Sequence, residues 1–222
     1  MRTQLGDELI ERIRTHPTDD DIVGTAANDL LSELYAGYPV ENLGRLLHSD
    51  NEVVVRTGAW LLSELVELAA PMIDELPALL AGPIRNVRYY AITVALANAD
   101  GRHGPIIAQV LNLSLDPDEA IRWKMLEFLA EASIEQLEAG TSCLPPGQLK
   151  ELVEWLILQD DEEPDRTGIF LRMEEGDPVT RLFAAAAAAS LGLGLLEHAA
   201  MVEDETIRSF AQTRLKRLRE ED

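Results

Sequence analysis

The chain has 222 residues, 40 acidic and 19 basic, for a formal net charge of −21; that sign opposes binding to phosphate backbones, whose affinity comes largely from lysine and arginine, so no nucleic-acid partner is expected. Only three lysines occur, Lys124, Lys150 and Lys216, against sixteen arginines, a bias that suggests a GC-rich bacterial genome. No run of about 18 apolar residues spans a membrane, the start Met1-Arg-Thr-Gln-Leu-Gly-Asp-Glu8 lacks a signal core, and the lone Cys143 permits no internal disulfide, so a cytoplasmic protein is expected.

The first predicted helix start is Asp19-Asp20-Asp21, where carboxylates meet the positive end of a helix dipole. A cation site is the weaker reading, because no oxygen-rich calcium loop surrounds it. Val23-Gly24 follows, and Pro39-Val40-Glu41-Asn42-Leu43 opens an outer helix expected to end near His48. Next comes an organising phrase, an acid followed six positions later by an arginine that directly succeeds a valine or isoleucine. It reads Asp50-Asn-Glu-Val-Val-Val55-Arg56. Val55, Ala59, Leu62 and Val66 face inward at steps of three and four, while Trp60, Glu64 and Glu67 turn away. Ala70-Pro71-Met72 opens the next outer helix. Gly82-Pro-Ile-Arg-Asn-Val87-Arg88 repeats the phrase without its acid, with Val87, Ala91, Val94 and Asn98 inward and Tyr89 outward. After Gly104-Pro105-Ile106, Asp116-Pro-Asp-Glu-Ala-Ile121-Arg122 restores the full phrase. Ile121, Met125, Phe128 and Ala132 are then inward, and Trp123, Glu127 and Glu131 outward.

The period breaks between Ile134 and Asp177, since Arg122 and Arg181 stand 59 residues apart. This interval holds a predicted loop over Gly140-Thr-Ser-Cys-Leu-Pro-Pro-Gly147, an apolar helix around Leu149 to Leu158, and the acidic run 159–165. Loops that interrupt a repeat are often placed for binding; a solvated insertion is the equal alternative. Glu175-Gly-Asp-Pro-Val-Thr-Arg181 resumes the phrase. Phe183 and Ala184 to Ala189 form a helix slim enough for another backbone to approach, and Gly192 and Gly194 stop it. Glu203-Asp-Glu-Thr-Ile207-Arg208 opens a last helix to about Glu220. It has Ile207, Ala211, Leu215 and Leu218 on one face and Arg214, Lys216, Arg217 and Arg219 near its end, where basic residues suit the dipole.

The arginines at 56, 88 and 122 stand 32 and 34 residues apart. A fixed period of this size implies stacked units that bury an apolar core only along the stack. On these phrases most of the chain resembles the HEAT repeat family and its shorter relatives with the Asp-x-x-Val-Arg-x-x-Ala phrase. The resemblance implies an all-α fold, an α-solenoid of about five to six helical hairpins. It would span 1–222 as a single domain with one irregular unit around 134–176. It also implies that the second helix of each hairpin lines a concave side, and that phrase arginines pair with phrase acids in a ladder. Residue by residue, this gives Arg56 with Asp50, Arg122 with Asp116 and Arg181 with Glu175. Arg88 faces Gly82, which has no carboxylate, and Arg208 belongs to the last copy.

Chemistry is sparse. His16, His48, His103 and His198 lack metal-ligand spacing, and neither Cys-x-x-Cys nor His-Glu-x-x-His occurs. Nucleotide-binding and acyl-transfer loops are missing as well, so no catalytic residue, metal or cofactor is expected, and not an enzyme. Trp60, Tyr89 and Trp123, ringed by Glu64, Glu67, Glu127 and Glu131, are instead what a binding face for a basic protein needs; the alternative is that these rings pack between helices. The expected function is a non-catalytic protein-binding module, in concrete form a bacterial immunity- or antitoxin-type inhibitor of a basic toxin. Two alternatives are kept: an enzyme or accessory similar to bilin lyases or DNA glycosylases, and a self-associating scaffold.

Overall fold

The computed structural model describes residues 2–160 and 163–221. Asp161 and Glu162 of the acidic run, and Met1 of the amino-terminal stretch, lie outside the described residues. Helices and turns make up everything described, with no strand among those residues, and the chain parts into two compact units, Met1–Asn98 and Ala99–Asp222.

The first unit runs α1 (Arg2–Thr15), α2 (Asp20–Tyr35), a 3-10 turn (Val40–Leu43) into α3 (Gly44–Leu47), α4 (Glu52–Glu64), a 3-10 stretch (Val66–Glu75), α5 (Leu76–Ala81) and α6 (Arg85–Asn98). Capping starts the helices where the sequence places polar residues. Asp19 accepts from Ile22 N, and Asn51 accepts from Val53 N and Val54 N, so orphan amides of the first turn find partners. Helix α1 packs on α2, α3 on α4, and α4 and α5 on α6. The interior is filled by Ile10, Ile13, Leu30, Leu43, Leu46, Leu61, Leu62, Leu65, Leu76 and Leu80.

Several expectations change here. In α4 Ala59 and Leu62 are buried as expected, but the core register also takes Val54, Gly58 and Leu61, with Leu65 just past the helix, while Val55 is half-buried and Val66 is exposed. Gly58 sets that register, because a Cβ there would come within 2.8 Å of Leu46 Cβ, so α4 presents this side to α3. The helix ends at Glu64 and Val66 turns left-handed at φ 49°, which places Glu67 in the 3-10 stretch, off α4. Asn98, expected inward, holds that turn by donating to Val66 O at 3.0 Å. Pro71 also lies inside the 3-10 stretch and opens nothing; the α-helix starts at Leu76.

The second unit runs through a 3-10 turn (Gly101–His103), α7 (Gly104–Asn112), another (Leu113–Leu115), α8 (Glu119–Glu131), α9 (Ile134–Cys143), α10 (Gln148–Ile157), a third (Leu158–Asp160), α11 (Arg166–Glu175), α12 (Pro178–Ser190), α13 (Leu193–Ala199) and α14 (Glu205–Glu221). Ser133 and Gln136 form a capping box at α9, and Asp177 accepts from Val179 N and Thr180 N at α12. Helix α12 is central: its alanines 184–188 are buried, and α8, α10, α11, α13 and α14 all pack on it. The expected loop at 140–147 is helical through Cys143. Gly140 is a contact point, not a turn, since a Cβ there would lie 2.6 Å from Ile107 Cγ2, and α7 packs on α9 through it. Helices α11 and α13 were not anticipated.

In the first unit the helices pack as pairs in chain order, α1 with α2, α3 with α4 and α5 with α6, while in the second α7 packs on α9 and α8 on α12; the fold class is an all-α solenoid. No helix among the described residues is long and apolar enough to cross a membrane.

Candidate functional site

Four of the phrase arginines tie their helix to main-chain carbonyls that precede it, in a loop or, for Arg181, at the end of α11. Arg88 Nη1 donates to Gly82 O and Pro83 O, each at 3.1 Å. Arg122 Nη1 donates to Asp116 O at 3.1 Å and Pro117 O at 2.8 Å. Arg208 reaches Val202 O at 3.4 Å, and Arg181 reaches Glu174 O at 3.1 Å. The acceptors in these contacts are main-chain carbonyls where the family resemblance implies carboxylates. A carbonyl is available from any residue, which explains why Gly82 serves in the second phrase. Asp116 turns its carboxylate to Asp118 N at 2.8 Å, Arg122 also approaches Glu119 at 4.0 Å, and Arg208 pairs with Glu205. Glu175 and Asp50 are exposed. Arg56 departs from the set: it is exposed, and among the described residues it makes no hydrogen bond or ion pair.

In the second unit the expected acidic face is occupied by the chain itself. Trp123 meets Phe210 of α14 edge-on, with centroids 6.0 Å apart at 77°. Glu127, its side chain 15 % exposed, pairs with buried Lys124 and lies 3.6 Å from Arg217. Glu131 pairs with Arg214. Helix α14 therefore supplies counter-charges to both carboxylates, and these three residues are not an open face. Spacing places Arg214 and Arg217 on one side of a helix, and Glu127 and Glu131 on one side of another, but it does not show that the two sides meet.

The first unit is different. Trp60 is half-buried and lines an open groove of about 320 Å³ with Val23, Gly24, Arg56 and Tyr90. Tyr89 stands beside that groove, edge-on to Tyr90 with centroids 5.9 Å apart at 88°. Tyr90, Gly24 and the groove-side role of Arg56 were missed, although Arg56 and Trp60 at four-residue spacing share a face of α4. Glu64 and Glu67 are both exposed. Beside them stand Tyr35, 56 % exposed, whose hydroxyl donates to Glu64 O, and the exposed Val66 and Leu68.

Other titratable groups are structural. Tyr38 donates to Asp7 at 2.9 Å, and Arg45 bridges Asp7 and Glu11, each at 2.6 Å. Burial, reinforced by Asp7, pushes the Tyr38 phenol up to about 12, and Arg45 holds Glu11 below the usual carboxylate range. His48, His103 and His198 each meet a carboxylate, on Glu75, Asp100 and Glu174. Among the described residues no group of three or more histidine, cysteine, aspartate or glutamate side chains is placed to hold a metal ion.

No family model matches the chain, and no curated protein does. Two solved structures are similar over nearly their whole length. One is an engineered protein from the Northeast Structural Genomics Consortium, 16 % identical with a TM-score of 0.54, covering 97 % of this chain and 96 % of its own. The other is a designed armadillo repeat protein, 14 % identical with a TM-score of 0.50, covering 97 % and 99 %. At such identities the likeness is one of fold, a helical repeat.

Proposed function

We propose that this chain is a non-catalytic protein-interaction module of the cytoplasm whose partner is a basic protein. One observation carries the proposal. On the first unit, exposed apolar side chains of Tyr35, Val66 and Leu68 stand beside the carboxylates of Glu64 and Glu67, and among the described residues no basic side chain pairs with either acid. Apolar groups left in water gain from docking, and unpaired carboxylates steer and orient a cationic surface. Val66 adds to the case, because a β-branched residue at positive φ is costly and persists only where its surroundings hold it, as Tyr35 and Asn98 do here. An immunity- or antitoxin-type inhibitor is the concrete form, since such a surface would cover a basic toxin.

The test is capture from the host's lysate on immobilised chain, in parallel with Glu64→Gln/Glu67→Gln. A basic protein retained in proportion by the wild type, lost as salt rises and lost from the variant, is the expected result. Equal retention by both chains at every salt concentration would refute the placement of the site.

A further inference from the structure

We propose that the groove bounded by Arg56, Trp60 and Tyr90 binds the carboxylate side chain of an aspartate or glutamate in an extended peptide segment. This stands apart from the basic-partner proposal, because it uses different side chains and the opposite charge.

The starting point is the contrast among equivalent arginines. Arg88, Arg122 and Arg208 each donate to a carbonyl of the loop before their helix, and Arg181 donates to Glu174 O at the end of α11. Arg56 occupies the same position in its phrase, yet among the described residues its five donors have no protein partner, and the side chain lines the groove. Two more donors stand with it. Among the described residues neither the Trp60 indole N–H nor the Tyr90 hydroxyl makes a hydrogen bond. The polar groups beneath them are already satisfied: Thr57 Oγ1 donates to Val53 O at 2.8 Å, and Asn28 Nδ2 to Gly24 O at 2.9 Å. What the groove offers a ligand is therefore a set of donors over an apolar floor of Val23 and Ala27.

Charge and shape narrow the ligand. One guanidinium matches one monoanion, and its planar fork fits a carboxylate in bidentate geometry. A phosphate dianion would demand more cations than Arg56 supplies, in a chain whose net charge is already −21. Trp60 and Tyr90 offer ring faces to the apolar neighbours of that acid. The groove crosses from α2 over α4 to α6, three successive packed helices. At about 10 Å per helix step this is about 20 Å, the length of about six extended residues. Gly24 keeps the α2 side open, since a Cβ built there meets nothing within 4 Å. An internal segment crossing the groove fits this geometry, with its acidic side chain on Arg56.

The experiment is an NMR titration of the full ¹⁵N-labelled chain with acetyl-Ala-Leu-Asp-Leu-Ala-amide and with its Asn counterpart, at about 0.15 M salt so that the chain's own field is screened within about 8 Å. The Trp60 indole and Arg56 Nε resonances should shift and saturate at millimolar Asp peptide, with the Asn peptide about tenfold weaker, the scale of one charge-assisted pair. Arg56→Gln should remove that tenfold preference while the Trp123 and Trp155 indole resonances stay in place, which reports an intact fold. Equal binding of the two peptides, no shift with either, or an unchanged preference in Arg56→Gln overturns the proposal. So does an Asn peptide with a free carboxyl terminus that matches the Asp peptide, which would make this a chain-end site. Displacement by equimolar inorganic phosphate would make it a phosphate site and overturn it equally.

Discussion

Removing the carboxylate of Glu127 tests whether the acids of α8 serve the fold. Its partner Lys124 has a side chain 8 % exposed, and Glu127 itself is 15 % exposed. Breaking a buried pair from one side costs about 3–5 kcal/mol, because the remaining charge keeps its desolvation penalty. Arg217 and the residual exposure of Glu127 favour the lower end, so Glu127→Ala should lose about 3 kcal/mol. For a chain of this length that lowers Tm by about 6–12 °C. Thermal unfolding followed by circular dichroism would read it. The paired replacement Lys124→Met/Glu127→Leu should recover most of the loss, since apolar substitutes for a buried ion pair are often neutral. Arg214→Ala, in a more exposed pair with Glu131, should cost less than about 1 kcal/mol. If Glu127→Ala melts within about 2 °C of the wild type, the pair carries no weight and Glu127 returns as a candidate for partner binding.

Further outcomes are expected elsewhere in the chain. Arg122→Lys, which cannot span both Asp116 O and Pro117 O with one planar fork, should lose about 1 kcal/mol in urea denaturation, and an unchanged midpoint would deny the loop-anchoring role. Val66→Asn should gain about 1 kcal/mol, because asparagine tolerates the left-handed region and Val66 is exposed; a loss would mean that the turn is unstrained. Tyr38 has its folded pKa raised from 10.0 to about 12, so the stability it contributes is present below about pH 10 and is lost as pH rises through about 12. Tyr38→Phe should flatten that alkaline slope in a pH series of melting curves. Asp177 is held low by Thr180, so its contribution is present above the ordinary carboxylate range and lost as pH falls through its folded value; Asp177→Asn should weaken that acid dependence.

The recurrence of the arginine phrase made the helical repeat legible, because stacked units must reuse one solution for joining loop to helix. What the arginine does there was not legible: its acceptors include backbone carbonyls, and a carbonyl leaves no mark on the sequence. Residue spacing also could not separate Val54 from Val55, since both lie on the apolar side of α4 and the choice is made by Gly58 against Leu46. Gly140 looked like loop punctuation among prolines, yet it is a close contact with Ile107 inside a helix. Of the site residues, Glu64 and Glu67 lie open on the first unit and Trp60 is half-buried there, whereas Glu127, besides its neighbour Lys124, and Glu131 meet Arg217 and Arg214 more than eighty residues away on α14, a pairing that local spacing cannot reveal.

The measurement closest to the central claim is the association rate between this chain and its captured partner, at low and moderate salt, for the wild type and for Glu64→Lys/Glu67→Lys. Electrostatic capture on the first unit predicts a rate that falls about tenfold or more on charge reversal and loses most of its salt dependence. An unchanged rate with an unchanged salt dependence would contradict it and place the partner elsewhere on the chain.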